Sequence, residues 1–308
     1  MNLSSRRSIL RSGAGAALLA GAVPHVAGLL VGCRRSTHEA TMAPDPNTTM
    51  SFFAVDEATI RKVMAELTAR GADAADLYFE HSRSNSITME DGIISRAASS
   101  VDQGVGLRVV VGEQTGYAFT EDLSLEAMLA AARTAATIAH GGKAHPPVAL
   151  APRSHADYYP LGRVWADVGI ADKLPIVERV DRLARALDPA VEKVTVNWGD
   201  GEEQILLIDM HGNVFADGRP MTRLWCTVTA RKDGQLQSGS ANVAGRRGID
   251  WYTEERLRFL TKEAIDRTMI LFEARRPPAG EMPVVLAAGA SGILLHEAIG
   301  HGMEADFN

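Results

Sequence analysis

The chain has 308 residues, of which 46% are hydrophobic and 23% are charged, so it is long enough for about two globular domains. Its net charge is −6, and because the first 32 residues carry three arginines and no acidic residue, the remainder has a net charge of −9. This acidic balance excludes binding to nucleic acid through bulk electrostatic attraction.

The first 33 residues have the features of an export signal. Arg6 and Arg7 precede an apolar residue, as in a twin-arginine signal, and residues 13–30 form an uncharged run rich in alanine and glycine. Small residues then lead to Cys33, which is typical of a bacterial lipobox, so we expect lipidation at Cys33. With Cys33 modified, the second cysteine, Cys226, has no intrachain disulfide partner.

Two alternatives exist for residues 1–33. A buried core helix does not suit the glycines, Pro24 and the basic front edge, and an uncleaved membrane anchor does not suit a run so short and so poor in leucine and isoleucine. The sequence therefore predicts an exported protein that is periplasmic or anchored to the membrane through lipid. The polar, proline-containing residues 34–55 are expected to form a flexible linker.

Residues 56–142 predict a first α+β module of helix, antiparallel strands and helix. Apolar residues recur at helical spacing from Ile60 to Leu67, and Ser124 is placed to cap a second helix that ends before Gly141. Between the helices, strands are predicted at 75–80, 86–90, 93–95, 104–111 and 116–120. The dipeptide Asp91-Gly92 indicates a hairpin turn among them.

The same order of elements is predicted again in residues 171–278, after an irregular connection at 143–170. A helix at 171–187 precedes the strands, and Thr253 is placed to cap a final helix. Turns are expected at Asp200-Gly201, at 211–213 and at Asp233-Gly234, and strands at 191–198, 204–209, 224–231 and 235–240. The fold class is thus α+β, with two helix–antiparallel-sheet–helix modules.

Residues 279–308 are predicted to begin a third, metal-bearing domain. An apolar run at 283–288 indicates a buried strand, and Ser291 opens a helix that carries His296, Glu297 and His301. Neutral imidazole is the commonest nitrogen ligand of zinc, and a glutamate beside the first histidine is placed to take a proton from an attacking water.

The two histidines cannot share one ion on a regular α-helix. Residues five apart are separated by about 140° around a helix with 3.6 residues per turn. The helix must therefore end or bulge between them, and Gly300 is expected to permit this, with His296 and Glu297 on the helix and His301 just beyond its regular part.

The alternative for this motif is a helix terminus with a capping histidine and a surface glutamate. The apolar approach favours the metal site, since it would place a polar cluster at the mouth of an apolar interior. Glu304, three residues after His301, is a candidate third ligand, and a solvated or hydrogen-bonded carboxylate is the other interpretation. Cys226 is expected to be a buried small apolar residue and not a ligand.

The chain resembles the TldD/PmbA family, on the TldD side, over roughly residues 57–308. The resemblance rests on residues 74–80 (AADLYFE), 84–92 (SNSITMEDG), 104–108 (GVGLR), 116–123 (GYAFTEDL) and 296–307 (HEAIGHGMEADF). It implies a zinc-dependent peptidase that acts on unfolded or extended peptides. It also implies a homodimer, or a heterodimer with a sister subunit of TldD/PmbA type.

The resemblance also implies roles for individual residues. His296 and His301 would bind zinc, Glu297 would be the general base, and the family's third ligand is a cysteine in a C-terminal half that lies beyond residue 308. The sequence is therefore expected to be an N-terminal portion of the family's length, with the third domain truncated. The alternative function is a non-catalytic module for peptide binding or assembly, as an inactive remnant or a partner subunit.

Overall fold

The computed structural model describes residues 43–304, except for 142, 147 and 290, so the predicted export signal and Cys33 lie outside the described residues. Within this part of the chain the α-helices are α1 (Pro46–Phe52), α2 (Glu57–Leu67), α3 (Leu125–Ile138), α4 (Ile170–Leu187), α5 (Glu254–Met269) and α6 (Ser291–Leu295). The strands are β1 (Ala74–Glu90), β2 (Ile93–Val111), β3 (Gln114–Thr120), β4 (Ala151–Pro152), β5 (Val191–Asp209), β6 (Asn213–Lys232) and β7 (Gln235–Gly245).

Three helices begin directly after a capping residue, and two of these residues, Ser124 and Thr253, were predicted caps. The side chains of Asp56, Ser124 and Thr253 each accept a hydrogen bond from the backbone amide three residues later. The predicted apolar stripe of α2 is fully formed, and its members are the buried residues Ile60, Val63, Met64 and Leu67. Local sequence therefore determines both where these helices start and which face they bury.

The strands form one continuous sheet in the order β3-β2-β1-β5-β6-β4, with β7 paired to β6. All neighbouring strands are antiparallel except β4, which runs parallel to β6. The α+β class is confirmed, but the two predicted modules do not have separate sheets. They are joined because β1 pairs with β5 over fifteen consecutive positions, from Asp76↔Asp209 to Glu90↔Thr195.

Two of the three predicted Asp-Gly turns are correct. Asp91-Gly92 and Asp233-Gly234 both have positive φ at each residue, as a two-residue hairpin turn requires. The predicted turn at Asp200-Gly201 is wrong, because β5 continues through it as a strand of 19 residues. The predicted breaks within β1 and β2 are also wrong, since these strands extend for 17 and 19 residues.

Two hydrophobic cores lie on the sheet, one for each predicted module. The first packs α2 and α3 against β1, β2 and the ends of β5 and β6 that adjoin them, and its largest buried side chains include Phe79, Leu77 and Leu107. The second packs α4 and α5 against the opposite ends of β1, β5 and β6 and against β7, around Trp165 and Trp198. Strands β1, β5 and β6 therefore contribute to both cores.

The predicted linker and connection contain ordered, buried parts. In the predicted linker 34–55, residues 46–52 form α1, which is capped by Asp45, and Phe53 is 2% exposed in the first core. In the predicted connection 143–170, the short strand β4 pairs with β6, and Trp165 is buried in the second core. Both segments were predicted to be irregular because they are mostly polar, but a single apolar side chain, Phe53 or Trp165, packs each one against a core.

The predicted buried strand at 283–288 does not form. Val284 and Val285 are 72% and 93% exposed, and no described strand pairs with this segment. An apolar run becomes a buried strand only when a partner strand and apolar cover are present, and the two cores contain no described residue beyond Met269. None of the described helices is long and apolar enough to cross a membrane.

Candidate metal centre

The two motif histidines are brought together by a change of helix type. Helix α6 ends at Leu295, residues His296–Gly300 form one π-helical turn, and a short 3₁₀ turn begins at His301. The backbone amide of His301 donates to the carbonyl of His296, five residues earlier. Because this bond links residues five apart, their side chains lie on one face, and the imidazole centroids are 4.6 Å apart.

Of the two expected forms, a helix end or a bulge, the structure has a bulge, but it begins at His296, so His296 and Glu297 lie in the π turn and not on the regular helix. Gly300 has ordinary helical angles, φ −58° and ψ −51°, so its conformational freedom is not used. A Cβ atom there would lie 3.3 Å from Nδ1 of His296, so the glycine provides space for the imidazole. The sequence could have indicated this role of Gly300, because it follows His296 by four residues and residues four apart on a helix are neighbours.

His296, Glu297 and His301 form the one group of three potential metal ligands found within the described residues. One ligand atom from each lies within 4.8 Å of the other two. The Nε2 atom of His301 is 3.3 Å from Oε2 of Glu297. The structure therefore brings together the three residues to which the sequence assigned ligand and general-base roles.

The donor set fits a zinc ion with small adjustments of the side chains. Zinc binds histidine nitrogen at about 2.0–2.1 Å in a tetrahedral arrangement, which requires ligand atoms about 3.3 Å apart. Two imidazoles with a carboxylate beside them match the nitrogen and oxygen ligands that zinc prefers. The exposed side chains of Glu297 and His301 leave room for that adjustment.

Glu304 lies on the other side of the His301 ring. Its Oε1 atom is 2.6 Å from Nδ1 of His301. When Nδ1 carries the proton and donates it to Glu304, the Nε2 lone pair is free to bind a metal. This position suits a residue that orients a ligand, and the assignment of Glu304 as a third ligand stays a prediction.

The expected apolar surroundings of the motif are absent from the described residues. Ile293, Leu294 and Leu295, which precede His296, are each at least half exposed, so the cluster is not at the mouth of a packed interior. That expectation was wrong for the same reason as the strand at 283–288, since the second core ends before this segment.

Cys226 is confirmed as a buried residue of the second core. Its side chain is fully buried among apolar neighbours, and burial raises the pKa of its thiol to about 12, with a smaller contribution from the charge of Asp181. A thiol must lose its proton to bind a metal, so this environment opposes a ligand role.

Comparison with known proteins identifies two matching segments. Residues 75–139 match "PmbA/TldA metallopeptidase domain 1", and residues 163–272 match "PmbA/TldA metallopeptidase central domain". The chain is 35% identical to the "Metalloprotease TldD homolog" of Haemophilus influenzae over 272 residues, which cover 85% of this chain and 56% of the relative. It is 25% identical over 244 residues to the "Zinc metalloprotease TldD homolog" of Saccharolobus solfataricus, covering 77% of this chain and 51% of that one.

A solved structure shows the same fold. TldE from Thermococcus kodakarensis superposes with a TM-score of 0.52 at 15% identity, covering 68% of this chain and 47% of that one. The chain spans about half the length of the curated relatives it matches. The first matched segment contains β2, β3 and α3 with nearly all of β1, and the second contains α4, β5, β6, β7 and α5.

Proposed function

Because the chain belongs to the PmbA/TldD metallopeptidase family, we propose that it is a zinc-dependent peptidase of the TldD type that cleaves unfolded or extended peptides. The observation that carries the proposal is the π-helical turn, which places the ligand atoms of His296, Glu297 and His301 within 4.8 Å of one another. The zinc named in one relative supports the choice of metal.

In this proposal each residue of the motif has a distinct task. His296 and His301 would hold zinc, which when bound supplies Lewis-acid polarisation of the peptide carbonyl and of the attacking water. Glu297 takes the proton from that water and passes it to the departing amine, as a general base that becomes a general acid. Glu304 keeps the proton of His301 on Nδ1 through the 2.6 Å contact, which leaves the Nε2 lone pair available as a ligand.

The test compares Glu297→Gln with the wild-type 308-residue chain. We expect cleavage of an unfolded fluorogenic polypeptide to fall by about 100-fold or more, because a positioned general base contributes about 10²–10⁴ in rate. Zinc content, measured by mass spectrometry of the metal, should equal that of the wild-type chain, because Glu297 is not one of the two proposed ligands. The matched control is Glu281→Gln, which changes an exposed glutamate before the motif and should cleave normally.

Full activity of Glu297→Gln would contradict the general-base assignment. Loss of zinc from Glu297→Gln would instead show that Glu297 is itself a ligand. His296→Ala and His301→Ala should each lose both zinc and cleavage, since each removes one of the two proposed imidazole ligands.

The second candidate function is a peptide-binding or assembly module without activity. Two observations favour it. The two proposed imidazole ligands are fewer than the three protein ligands that a zinc site requires, and the side chains of Glu297 and His301 are 61% and 50% exposed. In that case the wild-type chain would bind an unfolded polypeptide without cleaving it and without stoichiometric zinc. Tight binding of one zinc per chain, with cleavage, would contradict this alternative.

An extended substrate and a second subunit form part of the same proposal. Among the described strands β3 pairs only with β2, so its other edge has free backbone groups to which an extended peptide can add. Family membership supports a homodimer, or a heterodimer with another TldD/PmbA-type subunit. Light scattering of the purified chain, alone and with such a subunit, tests this, and a strict monomer in both samples would contradict it.

We also propose that the chain is exported by a twin-arginine signal and lipidated at Cys33. The support is the sequence pattern alone, Arg6-Arg7 followed by an uncharged run and Cys33. Replacing both arginines by lysine should leave the protein in the cytoplasm, and Cys33→Ser should abolish labelling with a fatty-acid probe. Unchanged export of the double lysine variant would contradict the signal.

A further inference from the structure

A band of polar side chains crosses the sheet between the two hydrophobic cores. On the face covered by helices, β1 is apolar at both ends, with Leu77 and Phe79 in the first core and Ile87 in the second. Successive side chains alternate between faces, and residues directly opposite in antiparallel strands share a face. The band on this face therefore consists of His81, Arg83 and Asn85 of β1, opposite Gln204, Glu202 and Asp200 of β5.

A cavity of about 390 Å³ lies over this band. Phe52, at the end of α1, and Trp165, in the connection, supply aromatic walls, and Val164 adds an aliphatic one. Trp165 is buried, whereas Phe52 is half exposed at the rim and stands edge-on to the ring of His81, with centroids 5.1 Å apart. This volume and mixture of apolar walls with a few polar groups are typical of small-molecule sites.

Glu202, which lines this cavity, has one carboxylate oxygen without a partner. Its Oε1 atom accepts a hydrogen bond of 3.0 Å from the side-chain amide of Gln204, which fixes the carboxylate. Its Oε2 atom is buried and has no hydrogen-bond partner, and it is the one such side-chain atom among the described residues. A buried acceptor without a donor is costly, so a bound donor at this position would be strongly favoured.

Arg83 lies directly opposite Glu202, yet the two do not form an ion pair. No described residue makes a hydrogen bond or ion pair with the Arg83 side chain. Elsewhere in the same sheet an equivalent pair does close, since Arg108 is opposite Asp76 and lies 2.6 Å from its carboxylate. Within the described part of the chain, the cavity therefore has a cation and a carboxylate oxygen at adjacent positions, each without a partner.

We propose that this cavity binds a small zwitterion, a free α-amino acid with an apolar side chain. A turn of the Glu202 carboxylate toward the cavity lets its Oε2 accept from the ammonium group, and the ligand carboxylate accepts from the guanidinium of Arg83. The apolar side chain packs against Phe52 and Trp165. This site uses no residue of the His296–His301 motif, so it does not depend on the proposed peptidase activity.

The experiment is calorimetric titration of the 308-residue chain with L-phenylalanine, phenethylamine and 3-phenylpropionate, the last two lacking one charge each. We expect saturable binding of L-phenylalanine at one site, and at least about tenfold weaker binding of each single-charge probe. Glu202→Gln and Arg83→Gln should each weaken binding of L-phenylalanine by a similar factor. Glu203→Gln, which makes the same change on the opposite face of β5, should bind as the wild type does.

Circular dichroism and thermal unfolding of each variant separate a loss of binding from a loss of fold. No saturable binding of L-phenylalanine to the folded wild-type chain would overturn the proposal. Equal affinity for phenethylamine, or unchanged binding in folded Glu202→Gln, would also overturn it, because either result removes the need for the pair of opposite charges. A rise in the unfolding temperature with L-phenylalanine in the wild type and Glu203→Gln, but not in Glu202→Gln, would support it.

Discussion

At the scale of single residues, one member of the polar band, Asp200, forms a buried ion pair. The ammonium of Lys173, on α4, is 2.7 Å from the carboxylate of Asp200 on β5, and the two side chains are 4% and 0% exposed. The same carboxylate accepts hydrogen bonds from the indole of Trp198 and the amide of Asn85. These contacts compensate a charge that would otherwise be costly to bury.

Lys173→Met should therefore be strongly destabilising, by about 3–5 kcal/mol, because it leaves the Asp200 carboxylate buried without its counter-charge. The matched control is Arg182→Met on the same helix, which removes an exposed pair with Glu178 and should cost less than about 1 kcal/mol. Urea denaturation measures both. The double variant Lys173→Met/Asp200→Asn should be less destabilised than Lys173→Met, and equal losses for Lys173→Met and Arg182→Met would contradict the assigned role.

At the scale of elements, the metal motif shows how far the sequence determines local geometry. If His296 and His301 bind one ion, their spacing of five rules out a regular helix, so a helix end or a bulge between them could be predicted. Which of these two forms occurs could not be predicted, because a π turn and a helix end satisfy the same spacing. Residues 283–295 were predicted to be buried and many are exposed. Their burial depends on packing against other elements, which local sequence does not specify.

Gly300→Ala tests whether the π turn forms the metal site. The added Cβ would lie 3.3 Å from Nδ1 of His296, and alanine favours the regular α-helix by about 1 kcal/mol, so both effects oppose the observed arrangement. We expect zinc affinity, measured by competition with a chelating dye, to fall by at least about tenfold. Gly292→Ala is the control, since its Cβ would meet no atom within 4 Å, and it should bind zinc normally. Equal affinities in both variants would contradict the model of a glycine that makes room for the ring.

At the scale of the whole molecule, the sequence predicts the helices and strands better than it predicts which strands pair. Asp-Gly indicates a turn at three places, and the two true turns join strands that pair with each other. Gly201 has a different task, because a Cβ there would lie 2.8 Å from the backbone carbonyl of Arg83, so the glycine allows β5 to approach β1. That contact joins residues 118 positions apart, and no local pattern reveals it.

Because β1 and β5 carry both cores, we expect the described part of the chain to unfold as one cooperative unit. Gly201→Ala, at the crossing of these strands, should destabilise it by about 1–3 kcal/mol, since the carbonyl of Arg83 has to move. Gly199→Ala, two positions earlier on the same face, has open space and should be neutral or slightly stabilising.

Tryptophan fluorescence reports on the second core and hydrogen exchange of α2 amides on the first. The two probes should give one urea midpoint, and Gly201→Ala should lower both equally, whereas separate midpoints would mean that the modules fold independently despite their shared sheet.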